Sequence, residues 1–332
     1  MTKFKKSLIT SILILFLCTM AACNQSAGSV EQNTETNVDT STDTTDSVKI
    51  ENMERTITFE EAPKRAVTLN QHTTEIMLAL GLEDSMIGTA YLDDEILPEY
   101  KEAYEKVPVL SDQYPSQEIF LGAEPDFAYA GWKSAFSEKA LGTVEQLEEF
   151  GIKSYLQQSS NMNGPTMDDV FTDILNIVRI FRVEDRANEL VQSMKEDMNA
   201  IHEKVKDVQD PINVFVYDSG ENEPLTVAQN FLNEMITLAR GSNIFKDVEK
   251  GWASVSWEEV ANRNPDIIVI VDYGDTTTDQ KKEFLLNHSA LTGVEAIKEK
   301  RFVVLPLSAG AEGIRGPIAT ETLAKAFYPE KF

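Results

Sequence analysis

The chain has 332 residues, of which 42% are hydrophobic and 26% charged, with a formal net charge of −25. This apolar content is enough for two ordinary cores. An acidic excess of this size excludes nucleic-acid binding and favours a partner surface of positive charge.

Taken in chain order, Lys3, Lys5 and Lys6 precede an apolar run over residues 8–17, too short to span a bilayer and suited to a signal peptide. Met20-Ala21-Ala22-Cys23 follows. Two small residues before a cysteine resemble a bacterial lipobox, in which the cysteine thiol becomes lipid-modified. Residues 1–22 are therefore expected to be removed and Cys23 to be acylated. That step strips three lysines and no acid, so the mature chain is more acidic still. It also removes Cys18 and leaves no free thiol for a disulfide, a metal or a nucleophile. Residues 23–48 are rich in Thr and acidic side chains, lack Lys and Arg before Lys49, and cannot bury a core. They read as a disordered tether.

From residue 49, short apolar strands alternate with helices. Strands are expected at residues 65–70, 86–90, 107–110, 127–130 and 153–156, with helices at 73–80, from Ser116, and at 140–150. Gly81 and Gly151 close the first and last of these helices. The alternation restarts with strands at residues 212–217, 267–271 and 302–305 and helices at 230–240, 256–261, 291–297 and 318–327. Gly241 is expected to close the helix at 230–240. Such spacing predicts parallel sheets with helices on both faces.

Between the two runs, residues 166–208 carry a continuous helical stripe: Val183, Ala187, Leu190, Val191, Met194, Met198, Ile201, Val205 and Val208. Phe181-Arg182 is the expected break between a shorter helix and a long strut. A repeat flanks this segment. Ser116-Gln117-Glu118 leads to Pro125-Asp126 and an apolar strand, and Ser256-Trp257-Glu258 leads to Pro265-Asp266 and another. Capping explains the serines but not the matched Glu and Pro-Asp. Two homologous α/β halves, joined by one long helix, account for both. The expected organisation is an N-terminal lobe at 49–160, a connecting helical segment at 161–210 and a C-terminal lobe at 211–332.

These units, the opening 62–70, the stretch 74–81, Gly241-Ser242-Asn243-Ile244-Phe245 and the closing 329–332 together resemble the substrate-binding proteins of ABC importers for iron chelates, haem and cobalamin. The resemblance covers about residues 49–332. It implies two lobes with mainly parallel sheets, a ligand cleft between them, and a permease transmembrane dimer with ATPase subunits as partner. It also implies that Glu118 and Glu258 dock onto permease arginines. Two fixed carboxylates suit such docking because charge pairing sets orientation and on-rate.

Ligands of open parallel sheets bind outside the carboxyl ends of the strands. That rule names Asn70 and His72 after the first strand, Tyr91 after the second, and Trp132 after the strand at 127–130. In the second half it names Tyr217, Tyr273 and Arg315. Trp252 matches a cleft tryptophan that the resemblance implies. Aromatic faces suit a large organic ligand, here a siderophore complex, haem or a corrinoid, and an arginine suits a carboxylate or phosphate on it. A bare-metal site needs converging histidines, and the chain has three, His72, His202 and His288, in unrelated segments. No nucleophile elbow, phosphate loop or zinc-helix motif is present, so no catalytic residue is assigned. The expectation is a monomeric, lipid-anchored receptor on the extracellular face of a cell membrane, in a Gram-positive bacterium. The alternatives are a surface sensor or adhesion protein with the same fold, and a surface hydrolase.

Overall fold

The computed structural model describes residues 47–332. The expected signal peptide, Cys23 and most of the tether lie outside the described residues. The chain enters through an antiparallel hairpin, β1 (Val48–Asn52) and β2 (Arg55–Phe59). Its two-residue turn, Met53-Glu54, has φ of 52° and 59°, a left-handed geometry without glycine. Then come β3 (Ala66–Leu69), α1 (Gln71–Ala79), β4 (Met86–Ala90), α2 (Lys101–Tyr104), β5 (Val109–Ser111), α3 (Gln117–Gly122), β6 (Phe127–Ala130), α4 (Val144–Glu149) and β7 (Lys153–Leu156). The order β5-β4-β3-β6-β7 forms one all-parallel sheet. Its central strands β3 and β6 are buried at every residue, as a sheet covered on both faces requires.

Two helices follow, α5 (Met167–Phe181) and α6 (Glu184–Val205). Between them Arg182 is left-handed, with φ of 58°, at the expected break. A non-glycine residue there is strained by roughly 1 kcal/mol or more. The Arg182 guanidinium, donating to the Glu60 carbonyl at 2.7 Å, helps to hold it. At 1.5 Å per residue α6 spans about 33 Å. It buries Ala187, Val191, Met194, Ile201 and Val205, worth about 8 kcal/mol of gross burial for the four larger side chains. Both α5 and the C-terminal helix pack against it.

The second half contains β8 (Ile212–Tyr217), β9 (Leu225–Val227), α7 (Phe231–Leu238), β10 (Gly241–Asn243), β11 (Trp252–Ser254), α8 (Trp257–Arg263), β12 (Ile267–Asp272), α9 (Thr278–Asn287), α10 (Glu295–Lys298), β13 (Phe302–Pro306) and α11 (Gly316–Phe327). The order β10-β8-β12-β13 forms a second all-parallel sheet, and β9 and β11 form a small antiparallel ribbon. The protein is thus an α/β fold of two parallel sheets, with a long helix connecting them in sequence and packed on α5 and α11. No helix among the described residues is long and apolar enough to cross a membrane.

The repeat seen in the sequence has a shared mechanical role. Ser116 and Ser256 both cap short helices, accepting from the amides of Ile119 at 3.3 Å and Glu259 at 3.1 Å. The Asp126 carboxylate accepts from the amides of Lys64 and Arg65, at 2.9 and 3.0 Å, just before β3. Asp266 accepts from the Asn213 amide in β8 at 2.8 Å. Each aspartate precedes the strand that pairs with the first strand of its parallel sheet, β3 or β8, so each seals the amino edge of its sheet at the same place. The strand orders β4-β3-β6-β7 and β10-β8-β12-β13 correspond, with β5 an extra edge strand in the first half.

Three helices differ from expectation. Residues 140–143 are not helical, and the helix starts only after a capping box on Thr143. The stretch 291–297 breaks into a 3-10 turn and α10. The helix at 230–240 is closed by Arg240, with φ of 64°, not by Gly241. Gly241 is needed for space instead: a Cβ there would lie 2.7 Å from Phe327 and 2.8 Å from Ile236.

Candidate functional site

A cavity of about 640 Å³ opens at the carboxyl ends of both sheets. Its size suits an organic ligand. The first half contributes Gln71 and His72 from α1, Asp93 after β4, Trp132 after β6, and Ser160 to Asn163 after β7. The second half contributes Val271, the run from Leu305 to Ser308, Gly310 to Glu312, and the rim residues Asn230, Gly251 and Trp252. The β9–β11 ribbon presents Trp252, whose 39% exposure leaves its ring open to the cavity mouth.

His72 sits at the junction of the halves. Its ring meets Trp132 edge-on at 5.1 Å, and its Nε2 lies 3.1 Å from Ser160 Oγ. Glycines from both halves enclose it. A Cβ on Gly131 would overlap the imidazole, and one on Gly313 would lie 2.8 Å from His72 Cβ. Burial pushes the His72 pKa down to about 3, so the ring is neutral at ordinary pH. Its Nδ1 is buried without a partner. Glu312, 9% exposed in the loop after β13, is pushed up to about 7 by burial. With Nε2 protonated, His72 donates to the Ser160 hydroxyl.

The loop that carries Glu312 is tied across the cleft. Gln157 Nε2 donates to the Glu312 carbonyl at 3.0 Å. Arg315, 8% exposed, donates from Nε and Nη2 to the two Glu75 carboxylate oxygens at 2.8 and 2.6 Å. Its remaining donors reach the Glu95 carbonyl at 2.6 Å, Ser308 Oγ at 2.9 Å and Asp94 at 3.4 Å.

Of the eight residues expected to hold ligand, His72, Trp132 and Trp252 line the cavity and are brought together from three different elements. Asn70 lies behind it, fully buried, with φ of 86°. Its Oδ1 accepts from the Gly131 amide and the Tyr114 hydroxyl, both at 3.2 Å, and so positions the loop that bears Trp132. The other four do not line the cavity. Arg315 is absorbed by the Glu75 pair. Tyr91 packs edge-on against Tyr114 at 4.6 Å. Tyr217 is core, stacked on Phe284, with its pKa raised to about 12 by burial. Tyr273 donates to Asp218 at 2.9 Å and lies under the Lys281 ammonium.

Sequence reasoning missed Glu312, Ser160 and Asp93. The signal available for Glu312 was the glycine-rich loop after β13, read there only for its arginine. Glu118 and Glu258 are both exposed, in the first turns of α3 and α8, without ion-pair partners among the described residues. Both helices run back to feed β6 and β12, so both glutamates lie at the cleft-side ends of the sheets. His202 lies on α6 and His288 packs against Trp257. Among the described residues no three His, Cys, Asp or Glu side chains form a metal-ligating group.

A family model described as "Periplasmic binding protein" matches residues 67–309, which span both parallel sheets and most of the cleft lining up to the loop that carries Glu312. The chain belongs to that family. A periplasmic binding protein structure from Veillonella parvula is 33% identical, with a TM-score of 0.79 over 85% of this chain and 98% of that one. Among curated relatives, an ABC transporter substrate-binding lipoprotein of Bacillus subtilis, YvrC, is 26% identical across 99% of both chains. A vitamin B12-binding protein of Vibrio campbellii is 28% identical over 63% of this chain and 72% of that one. The fold is also that of a heme-binding protein of Vibrio cholerae, at 20% identity and a TM-score of 0.63 over 80% of this chain and 99% of that one.

Proposed function

We propose that this family member is the solute receptor of an ABC importer, capturing an organic metal chelate and delivering it to a permease dimer and its ATPase subunits. The observation that carries the reading is the cleft itself. It lies at the carboxyl ends of two equivalent sheets, offers two indole rings, and is flanked by two equivalent, unpaired glutamates. The named relatives, one binding vitamin B12 and one heme, support a ligand of the corrinoid or haem class. Glu118 and Glu258 are assigned to permease docking. Cys23 carries the lipid, residues 23–48 tether the receptor to the extracellular face of the membrane, and the receptor acts as a monomer without catalysis. The lobes are residues 49–160 and 211–332, with residues 161–210 between them.

The experiment has two arms. Native mass spectrometry of protein from its own host should detect a coloured, metal-containing ligand, and that ligand should quench tryptophan fluorescence at micromolar concentration. Reversing Glu118→Lys and Glu258→Lys together should abolish uptake while ligand binding stays intact. Unchanged uptake in that variant would remove the transport reading and leave a surface sensor.

A further inference from the structure

The charge of the cleft narrows the ligand class, an inference that rests on the proposed reading. Among the described residues that line the cavity there is no Lys and no Arg. The nearest lysines in sequence, Lys133 and Lys250, flank lining residues but are themselves exposed. Arg315, the one arginine in the loop after β13, spends its donors on Glu75, Asp94, Ser308 and the Glu95 carbonyl. His72 is enclosed and neutral. Each wall instead contributes a carboxylate, Asp93 from the first half and Glu312 from the second.

The polar groups between them are largely occupied. Gln71 bonds Glu75, the Asp94 amide and the Glu95 carbonyl. Asn161 bonds the carbonyls of Gly131 and Gln157 and the Lys133 amide. Ser308 bonds Asp94 and Arg315. The surfaces left for a ligand are carboxylate oxygens, the faces of Trp132 and Trp252, and the neutral amides of Asn163 and Asn230, none of them positively charged. Carboxylates accept hydrogen bonds or balance positive charge, and indole faces attract cations. The overall charge of −25 repels anions during approach as well.

We propose that the cleft selects a ligand without net negative charge, an uncharged or cationic chelate that presents N–H donors to Asp93 and Glu312. Anionic ferric tris-catecholates and tetrapyrroles with free carboxylates are disfavoured.

Two ligand series test this by tryptophan quenching at constant ionic strength and at about pH 8.5, above the value near 7 to which burial raises Glu312. One is ferrioxamine B with its terminal amine free, acetylated or succinylated, giving a cation, a neutral complex and an anion around the same metal. The other is cyanocobinamide, cyanocobalamin and a cobalamin monocarboxylic acid. In whichever series binds, the anion should bind at least about tenfold more weakly than the neutral member, the size expected for one partly screened charge near a carboxylate. Glu312→Gln should shrink that gap at least about threefold, with its midpoint in urea confirming a folded protein. An anion that binds as tightly as its neutral partner overturns the charge inference and leaves the importer reading standing. If no member of either series binds below about 100 µM while haem or a ferric tris-catecholate does, the charge inference is overturned and the chelate reading stands; if none of these binds, the chelate reading falls and takes this inference with it.

Discussion

Replacing Arg315 with methionine tests whether this side chain serves the ligand or the fold. Its two strongest contacts form a bidentate pair with Glu75, whose side chain is only 1% exposed. Removing the guanidinium leaves that carboxylate buried with two donors, Gln71 Nε2 and the Leu97 amide, each at 3.1 Å. Breaking a buried pair from one side costs about 3–5 kcal/mol, and the two surviving donors place the expected loss at the lower end, about 3 kcal/mol. The contact with Asp94 adds little, because that side chain is 36% exposed and the distance is 3.4 Å. Glu75→Gln should cost about the same, since it strands the arginine. Glu75→Gln with Arg315→Met should cost clearly less than the sum, with a coupling of at least about 2 kcal/mol. Urea titrations followed by tryptophan fluorescence give these values as midpoint shifts at unchanged slope. Additive single variants, or an Arg315→Met protein within about 1 kcal/mol of wild type, would refute the pair as a structural brace. A variant of normal stability that no longer binds ligand would return Arg315 to the cleft.

Three further outcomes are expected. His72, held near 3, contributes stability that is full above its ordinary 6.5 and is lost as pH falls, whereas Glu312, held near 7, carries a penalty that acidification relieves. The two effects offset each other in the wild type, so Glu312→Gln should lose about 2 kcal/mol relative to wild type between pH 7.5 and 5; parallel pH–stability profiles would exclude this. Gly131→Ala should cost about 1–3 kcal/mol and weaken ligand binding by displacing His72, while Gly122→Ala, with open space around it, should be neutral or slightly stabilising in the same urea assay. Free and ligand-bound crystal forms should differ by a rotation below about 30°, because α6 packs on both halves and one apolar core runs from Ile50 to Phe327. A larger angle would show that this core separates on opening.

The sequence by itself determined the features that depend on local periodicity. The buried strands at 66–69, 127–130 and 267–271 read directly as apolar runs, and the stripe on α6 read as a helix with its break at Arg182. The paired Ser-x-Glu and Pro-Asp units revealed two halves because each residue acts within its own half, capping a helix or sealing a sheet edge. Tertiary structure decided everything that depends on distant groups meeting. The hairpin of β1 and β2 carried no turn signature, since Met53 and Glu54 take left-handed conformations that sequence rules reserve for glycine or asparagine. Gly241 looked like a helix stop, but its small size serves Phe327, far along the chain. Arg315 looked like a ligand group until Glu75, 240 positions earlier, proved to be its partner. The strand-end rule located the cleft, yet the sign of its charge emerged only once the fold had taken the arginine away and left Asp93 and Glu312 among the lining residues. Which charges remain free for a ligand is set by which are already neutralised, and such pairing is a property of three-dimensional contact.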